Sequence, residues 1–113
     1  MPYNLEEVAV QILEFSEIRE WSQFHSIRNL ALALTGELGE LVELIQWKTD
    51  DGVNDLLGDT QGRADFENEV ADISIYLIRL CQQANINLSQ VISEKLKLNE
   101  ERFPVGEVRG KAD

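Results

Sequence analysis

Apolar residues recur at helical spacing along most of this chain, and this periodicity is the feature that most restricts its fold. No segment alternates apolar and polar residues in the way that a half-buried strand does. Capping residues mark the expected helix starts, and a proline marks the end of the last helix. The sequence therefore predicts an all-α fold, a four-helix bundle. Its helices are expected from Leu5 to Arg19, from Ser26 to Lys48, from Asp65 to Ala84 and from Leu88 to Phe103.

The segment between the second and third helices reads as the one long irregular stretch of the chain. It covers residues 49–64 and contains several glycine-based turn signals, with room for one short helical turn from Val53 to Leu57. A loop of this length in a small domain is usually mobile or functional, as a lid is. We expect one domain over residues 1–104 and a disordered tail over residues 105–113, which is charged and contains glycine.

Two pairs of carboxylates lie on the apolar stripes of the second and third helices. Glu37 and Glu40 form the first pair, and Glu69 and Asp72 form the second. Residues three apart share one helix face. Carboxylates are rarely placed on a buried stripe without a partner, because desolvating a charge is costly. If the two helices pack antiparallel, all four carboxylates can converge, and a divalent cation is the expected shared partner.

The scarcity of histidine and cysteine narrows the choice of metal. The chain has one histidine, His25, and one cysteine, Cys81, and both lie outside the acidic pairs. Di-iron bundles use Glu-x-x-His motifs, and zinc sites favour Cys and His ligands, so neither is expected. An oxygen-only ligand set suits Mg²⁺, which commonly engages substrate phosphates. A lone histidine is more often a capping or surface residue, and a lone cysteine in an apolar run acts as a small hydrophobe.

The composition limits the possible partners. With 113 residues and a net charge of −11, the chain suits one acidic domain that does not bind nucleic acid or anionic membranes. The first residues do not resemble a secretory signal peptide, and no apolar run approaches the ~18 residues of a membrane span. We therefore expect a cytoplasmic protein. A chain this short, rich in apolar helix, is expected to bury more surface by oligomerising.

Four sequence blocks resemble the MazG-like all-α nucleoside triphosphate pyrophosphatases, and are most similar to the dCTP pyrophosphatase branch. The resemblance covers most of residues 5–104, with all four blocks in the family's order. The blocks are Phe24–Leu30, Gly36–Leu41 followed by Gln46-Trp47-Lys48, Glu69–Leu77, and Lys95–Pro104.

The resemblance implies Mg²⁺-dependent hydrolysis between the α and β phosphates of a (deoxy)nucleoside triphosphate, with dCTP or a modified relative as the expected substrate. It also implies a homodimer or a homotetramer built from two dimers, with sites completed across subunits. The implied metal ligands and catalytic residues are Glu37, Glu40, Glu69 and Asp72. The implied substrate-binding residues are Trp21, His25, Trp47, Tyr76, Lys95, Asn99 and Arg102.

Some positions depart from the family pattern. The closing tyrosine of the last block is Phe103 here, and the first helix lacks the histidine of the animal dCTP enzymes. These departures bear on the choice of base more than on the reaction.

Two other functions fit the same acidic helices: a non-catalytic helical interaction module, and a nucleotide sensor that binds without turnover.

Overall fold

The computed structural model describes residues 3–111, and within them it contains six α-helices, one 3-10 turn and no strand. The all-α prediction is confirmed. The four predicted helices correspond to α1, α2, α4 and α5. The elements are α1 (Leu5–Ile18), the 3-10 turn (Trp21–Phe24), α2 (Ile27–Ile45), α3 (Asp50–Gly58), α4 (Thr60–Gln83), α5 (Leu88–Arg102) and α6 (Val105–Val108).

Three helices begin at side-chain caps, at the starts that the sequence predicts. The Asn4 side chain accepts a hydrogen bond from the Glu7 amide at 2.9 Å, and Ser26 and Asn87 accept equivalent bonds at the starts of α2 and α5. Such caps satisfy amides that have no partner inside the helix. The start predicted at Asp65 is wrong, because α4 begins one and a half turns earlier and is capped by Asp59.

The irregular loop predicted over residues 49–64 is also wrong. Thr49 caps α3 and Asp59 caps α4, so the segment is two helices joined at a single residue. Of the glycines in this segment, Gly62 is a packing position and not a turn signal. A Cβ atom on Gly62 would lie 2.5 Å from the carbonyl oxygen of Leu56, so the contact between α3 and α4 requires glycine there.

Helices α2 and α4 form the main packed pair, and α1 and α3 also pack against α4. The beginning of α2 lies beside the end of α4, since Gln83 donates a hydrogen bond to the His25 carbonyl oxygen at 2.6 Å. Further along α2, Glu37 meets Glu69. The two helices therefore run antiparallel, which is the arrangement that lets their acidic pairs face one another.

The core of the single chain is small. Ile12, Leu30, Ile78 and Cys81 are buried, whereas many large apolar side chains on α5 and elsewhere are exposed. The radius of gyration is 17.3 Å, against about 13 Å for a compact domain of this length. The chain thus leaves much apolar surface uncovered along α5.

None of the helices within residues 3–111 combines the length and the apolar character that a membrane crossing requires.

In the tail, where disorder was predicted, α6 makes one helical turn directly after Pro104. The last part of that predicted tail, residues 112–113, lies outside the described residues.

Candidate functional site

Three carboxylates converge where α2 and α4 face each other. One oxygen from each of Glu37, Glu40 and Glu69 lies within 4.8 Å of the other two, and we call this group the acidic cluster. The α2 pair is brought together by the helical spacing, and the antiparallel packing adds Glu69. Within the described residues, the Oε2 atoms of Glu37 and Glu69 are buried without a hydrogen-bond partner.

The surroundings of Glu37 and Glu69 favour the neutral form of these two carboxyl groups. Burial raises the pKa of Glu37 to about 7, and the neighbouring carboxylates of Glu40, Glu69 and Asp72 contribute to the same shift. Burial also raises the pKa of Glu69, with smaller contributions from the charges of Glu40 and Asp72. Desolvation and like charges both penalise a carboxylate. A bound cation would reverse this penalty.

The donor set of the acidic cluster fits a hard divalent cation. Its ligand atoms are all carboxylate oxygens, which Mg²⁺ and Ca²⁺ prefer over nitrogen or sulfur. Two of these oxygens are buried and have no partner among the described residues, so a cation would satisfy atoms that are otherwise costly to bury.

Asp72 lies beside the acidic cluster and not within it. Its charge acts on both Glu37 and Glu69, but its oxygens are not part of the three-residue convergence. Asp72 instead lines a neighbouring cavity of about 500 Å³ between α1, the 3-10 turn and α4. We call this the α1–α4 cavity. Asp72 therefore connects the acidic cluster with the cavity.

Aromatic and polar side chains line the α1–α4 cavity. From α4 come Asp72, Tyr76 and Arg79, which lie on one helix face because they are four and three residues apart. Trp21 and His25 come from the 3-10 turn and the residue that follows it. The cavity has the size and the mixed aromatic and polar lining that are typical of small-molecule sites.

A hydrogen-bond network fixes the segment that carries Trp21 and His25. Arg79 is 2% exposed. Its Nε donates to Nδ1 of His25 at 3.1 Å, and one Nη donates to the Ser22 hydroxyl at 3.1 Å. The other Nη donates to Gln82 at 2.8 Å. This wall of the cavity is thus attached to α4 by side chains.

The structure gathers some of the predicted substrate-binding residues and leaves others apart. Trp21, His25 and Tyr76 share the cavity wall. Trp47 is 90% exposed beyond the end of α2. Lys95 and Asn99 line a separate groove on α5, and the Arg102 guanidinium lies 5.1 Å from the Phe103 ring centroid. Within one chain these four residues do not reach the cavity, and their roles as substrate contacts stay predictions.

Arg79 and Phe15 are cavity residues that the sequence reasoning missed. Phe15 packs edge-on against Trp21, with 5.6 Å between ring centroids. In the sequence, Phe15 reads only as one apolar residue of the first predicted helix. Arg79 did carry a signal, because it is a basic residue inside the apolar run Leu77–Cys81, one turn after Tyr76. A charge at that position requires buried partners.

Comparison with known proteins identifies the family. The model of the MazG nucleotide pyrophosphohydrolase domain matches residues 25–106, which include the acidic cluster and most of the polar residues of the cavity. The chain belongs to the MazG family. The resemblance seen in the sequence is thereby confirmed.

Relatives of this MazG-family chain include named enzymes. It is 41% identical over 109 residues to dCTP pyrophosphatase 1 of Mus musculus, and 40% identical over 101 residues to that of Homo sapiens. These matches cover 96% and 89% of this chain, but only 64% and 59% of the relatives' lengths. The crystal structure of a pyrophosphatase from Archaeoglobus fulgidus superposes with a TM-score of 0.81 and 34% identity, covering 90% of this chain and 94% of the other.

Proposed function

We propose that this protein is a Mg²⁺-dependent nucleotide pyrophosphohydrolase. It would cleave a (deoxy)nucleoside triphosphate, dCTP or a modified relative, to the nucleoside monophosphate and pyrophosphate. The proposal rests on the acidic cluster, two of whose buried oxygens have no hydrogen-bond partner among residues 3–111, and on the adjoining cavity lined by Trp21, His25 and Tyr76. The names of the dCTP pyrophosphatase relatives support the choice of substrate, and the name of the Archaeoglobus fulgidus pyrophosphatase supports the reaction.

The residues that would hold Mg²⁺ are Glu37, Glu40, Glu69 and Asp72. Mg²⁺, when bound, would neutralise the phosphates and activate a water for attack on the α–β linkage. The carboxylates supply the negative charge that holds the ion, and the raised pKa of Glu37 means that this side chain gives up a proton on binding. Asp72, which faces both the cluster and the cavity, is placed to orient the phosphate end of the substrate relative to its nucleoside end.

The α1–α4 cavity would hold the nucleoside. Trp21 and Tyr76 offer aromatic faces for the base and sugar with little loss of side-chain freedom. The cavity abuts Asp72, so the nucleoside in it would have its phosphates directed towards the acidic cluster. In an acidic protein with net charge −11, the metal provides most of the positive charge that a triphosphate needs.

We also propose that the working unit is a homodimer or a dimer of dimers. The exposed apolar side chains of α5, among them Ile92, Leu96 and Leu98, support this proposal. Within one chain the cavity lacks four of the expected substrate-binding residues. A second copy would bring these residues towards it: Trp47, Lys95, Asn99 and Arg102. Light scattering after size-exclusion chromatography tests it: a monomer with full activity would contradict the proposal.

Release of pyrophosphate from a panel of (deoxy)nucleoside triphosphates with Mg²⁺ tests the function. Glu40→Gln and Asp72→Asn should each lower the rate by about a hundredfold or more, since each removes a charge at the reacting phosphates. Glu43→Gln, an exposed neighbour on α2, is the matched control and should keep the wild-type rate. Failure to release pyrophosphate from any nucleotide, or full activity in both variants, would reject the proposal. Tight nucleotide binding without release would instead indicate a sensor.

A further inference from the structure

Arg79 is a buried cation that has no carboxylate within ion-pair distance among residues 3–111, although the charge of Glu17 acts on it. It is 2% exposed, and among the described residues the one ion pair is Arg63–Glu67. The hydrogen-bond partners of its guanidinium are neutral: His25, Ser22 and Gln82. Burying a charge without a directly paired counter-ion is costly, and an apolar side chain of similar size is often at least as stabilising. Stability alone therefore gives little reason for arginine at this position.

The bond from Arg79 to His25 determines where the imidazole carries its proton. A guanidinium donates hydrogen bonds and has no acceptor atom. Because Arg79 Nε lies 3.1 Å from Nδ1 of His25, Nδ1 must accept and therefore carries no proton. The ring is then neutral with its proton on Nε2. Burial and the charge of Arg79 lower the pKa of His25, which agrees with a neutral ring.

The same guanidinium holds the chain segment that forms one wall of the cavity. Its bond to Ser22 fixes the 3-10 turn, next to Trp21, and its bond to His25 fixes the residue after that turn. Through Gln82, which donates to the Ala9 carbonyl oxygen at 2.7 Å, the network also reaches α1. Arg79 thus joins all three elements that surround the cavity.

We propose, on the basis of the function proposed above, that Arg79 is a positioning residue for substrate binding. It fixes His25 as a hydrogen-bond donor and holds the Trp21-bearing turn against α4. His25 then offers an N–H and no acceptor, so the substrate atom that meets it must be an acceptor, such as an oxygen of the base or sugar. Arg79 acts through these residues and not on the phosphates.

Nitrogen NMR of the untagged protein tests the tautomer directly, because His25 is the single histidine of the chain. The wild-type spectrum should show Nδ1 unprotonated and Nε2 protonated. Arg79→Met should lose this fixed pattern and give a mixture of tautomers. Arg79→Lys, which can still donate to Nδ1, should retain it in part. Arg63→Met, on the same helix but exposed, is the matched control and should not change the spectrum.

Kinetics test the consequence for the substrate. Arg79→Met should raise the KM for dCTP about tenfold, the equivalent of one lost hydrogen bond. It should change kcat by less than about twofold, since the reacting phosphates are not touched. Ser22→Ala, which removes one exposed hydroxyl and should fold normally, should raise KM by a smaller factor and leave the His25 tautomer in place.

Two results would overturn the inference. The first is a His25 spectrum that is the same in Arg79→Met as in the wild type. The second is a loss of thermal stability in Arg79→Met with an unchanged KM, which would make Arg79 structural only. If the wild-type protein hydrolyses no nucleotide, the proposed function fails, and the NMR comparison still decides whether Arg79 fixes His25. If Arg79→Met does not fold, Arg79→Lys and Ser22→Ala provide the comparison.

Discussion

Mg²⁺ binding should weaken about tenfold between about pH 8 and about pH 6, because Glu37 must be ionised before it can hold the ion. Burial and the neighbouring carboxylates raise the pKa of Glu37 to about 7 in the metal-free protein. One unit below that pKa, about ten molecules carry the proton for each one that does not, and one unit above it the ratio is reversed. Competition with the proton therefore reduces the apparent affinity by about tenfold from Glu37 alone. Glu69, whose pKa is also raised, changes the affinity in the same direction.

Isothermal titration calorimetry at the two pH values measures this change directly. Repeating each titration in buffers of different ionisation enthalpy counts the protons released, which should approach one per ion at the lower pH. Glu37→Gln should bind Mg²⁺ more weakly and lose most of the pH dependence, whereas Glu43→Gln should behave as the wild type. Equal affinities at both pH values, or an undiminished pH dependence in Glu37→Gln, would refute the role given to Glu37.

Three further predictions concern stability. In the metal-free protein, protonated Glu37 stabilises the fold fully below its ordinary pKa of 4.5, and this contribution is lost as the pH rises through about 7. The urea midpoint should therefore fall between about pH 5 and about pH 8, and should fall less in Glu37→Gln. Gly62→Ala should lower the free energy of unfolding by about 1–3 kcal/mol, because the new Cβ meets the Leu56 carbonyl oxygen. Gly58→Ala, where nothing lies within 4 Å, should not lower the free energy of unfolding and can raise it by up to about 1 kcal/mol, and equal losses in the two variants would contradict the packing argument. Asp59→Ala should lower the free energy of unfolding by about 1 kcal/mol, because the Gly62 amide loses its capping partner. An unchanged thermal midpoint in this variant would contradict the stabilising role of the cap.

The sequence predicted the long helices because their apolar period and caps act locally. Asn4, Ser26 and Asn87 cap their helices by bonds to the amide three residues on, so no tertiary information is needed. The loop prediction for residues 49–64 fails for the opposite reason. Glycine is a turn signal in the sequence, but the need for glycine at Gly62 comes from α3 lying against α4, which only the packed structure reveals.

In the candidate site, too, some features follow from local sequence and others only from the packed structure. The pairing of Glu37 with Glu40 follows from helical spacing, and the meeting with Glu69 follows once α2 and α4 are taken as antiparallel. The exact position of Asp72 depends on the rotation of α4 about its axis, which periodicity does not define to better than a few tens of degrees. The role of Arg79 depends on His25, 54 residues away in the chain, and no local pattern connects them.

Phosphorus NMR of the products formed from dCTP and Mg²⁺ tests the central claim most directly. If the acidic cluster directs a bound metal to the α–β linkage, dCMP and pyrophosphate should appear in equal amounts, and both should form more slowly, by about a hundredfold or more, with Asp72→Asn. Orthophosphate together with dCDP would place the cleavage at the β–γ linkage. That result, or the absence of any product, would contradict the reading of Glu37, Glu40 and Glu69 as the metal-holding centre of a pyrophosphohydrolase.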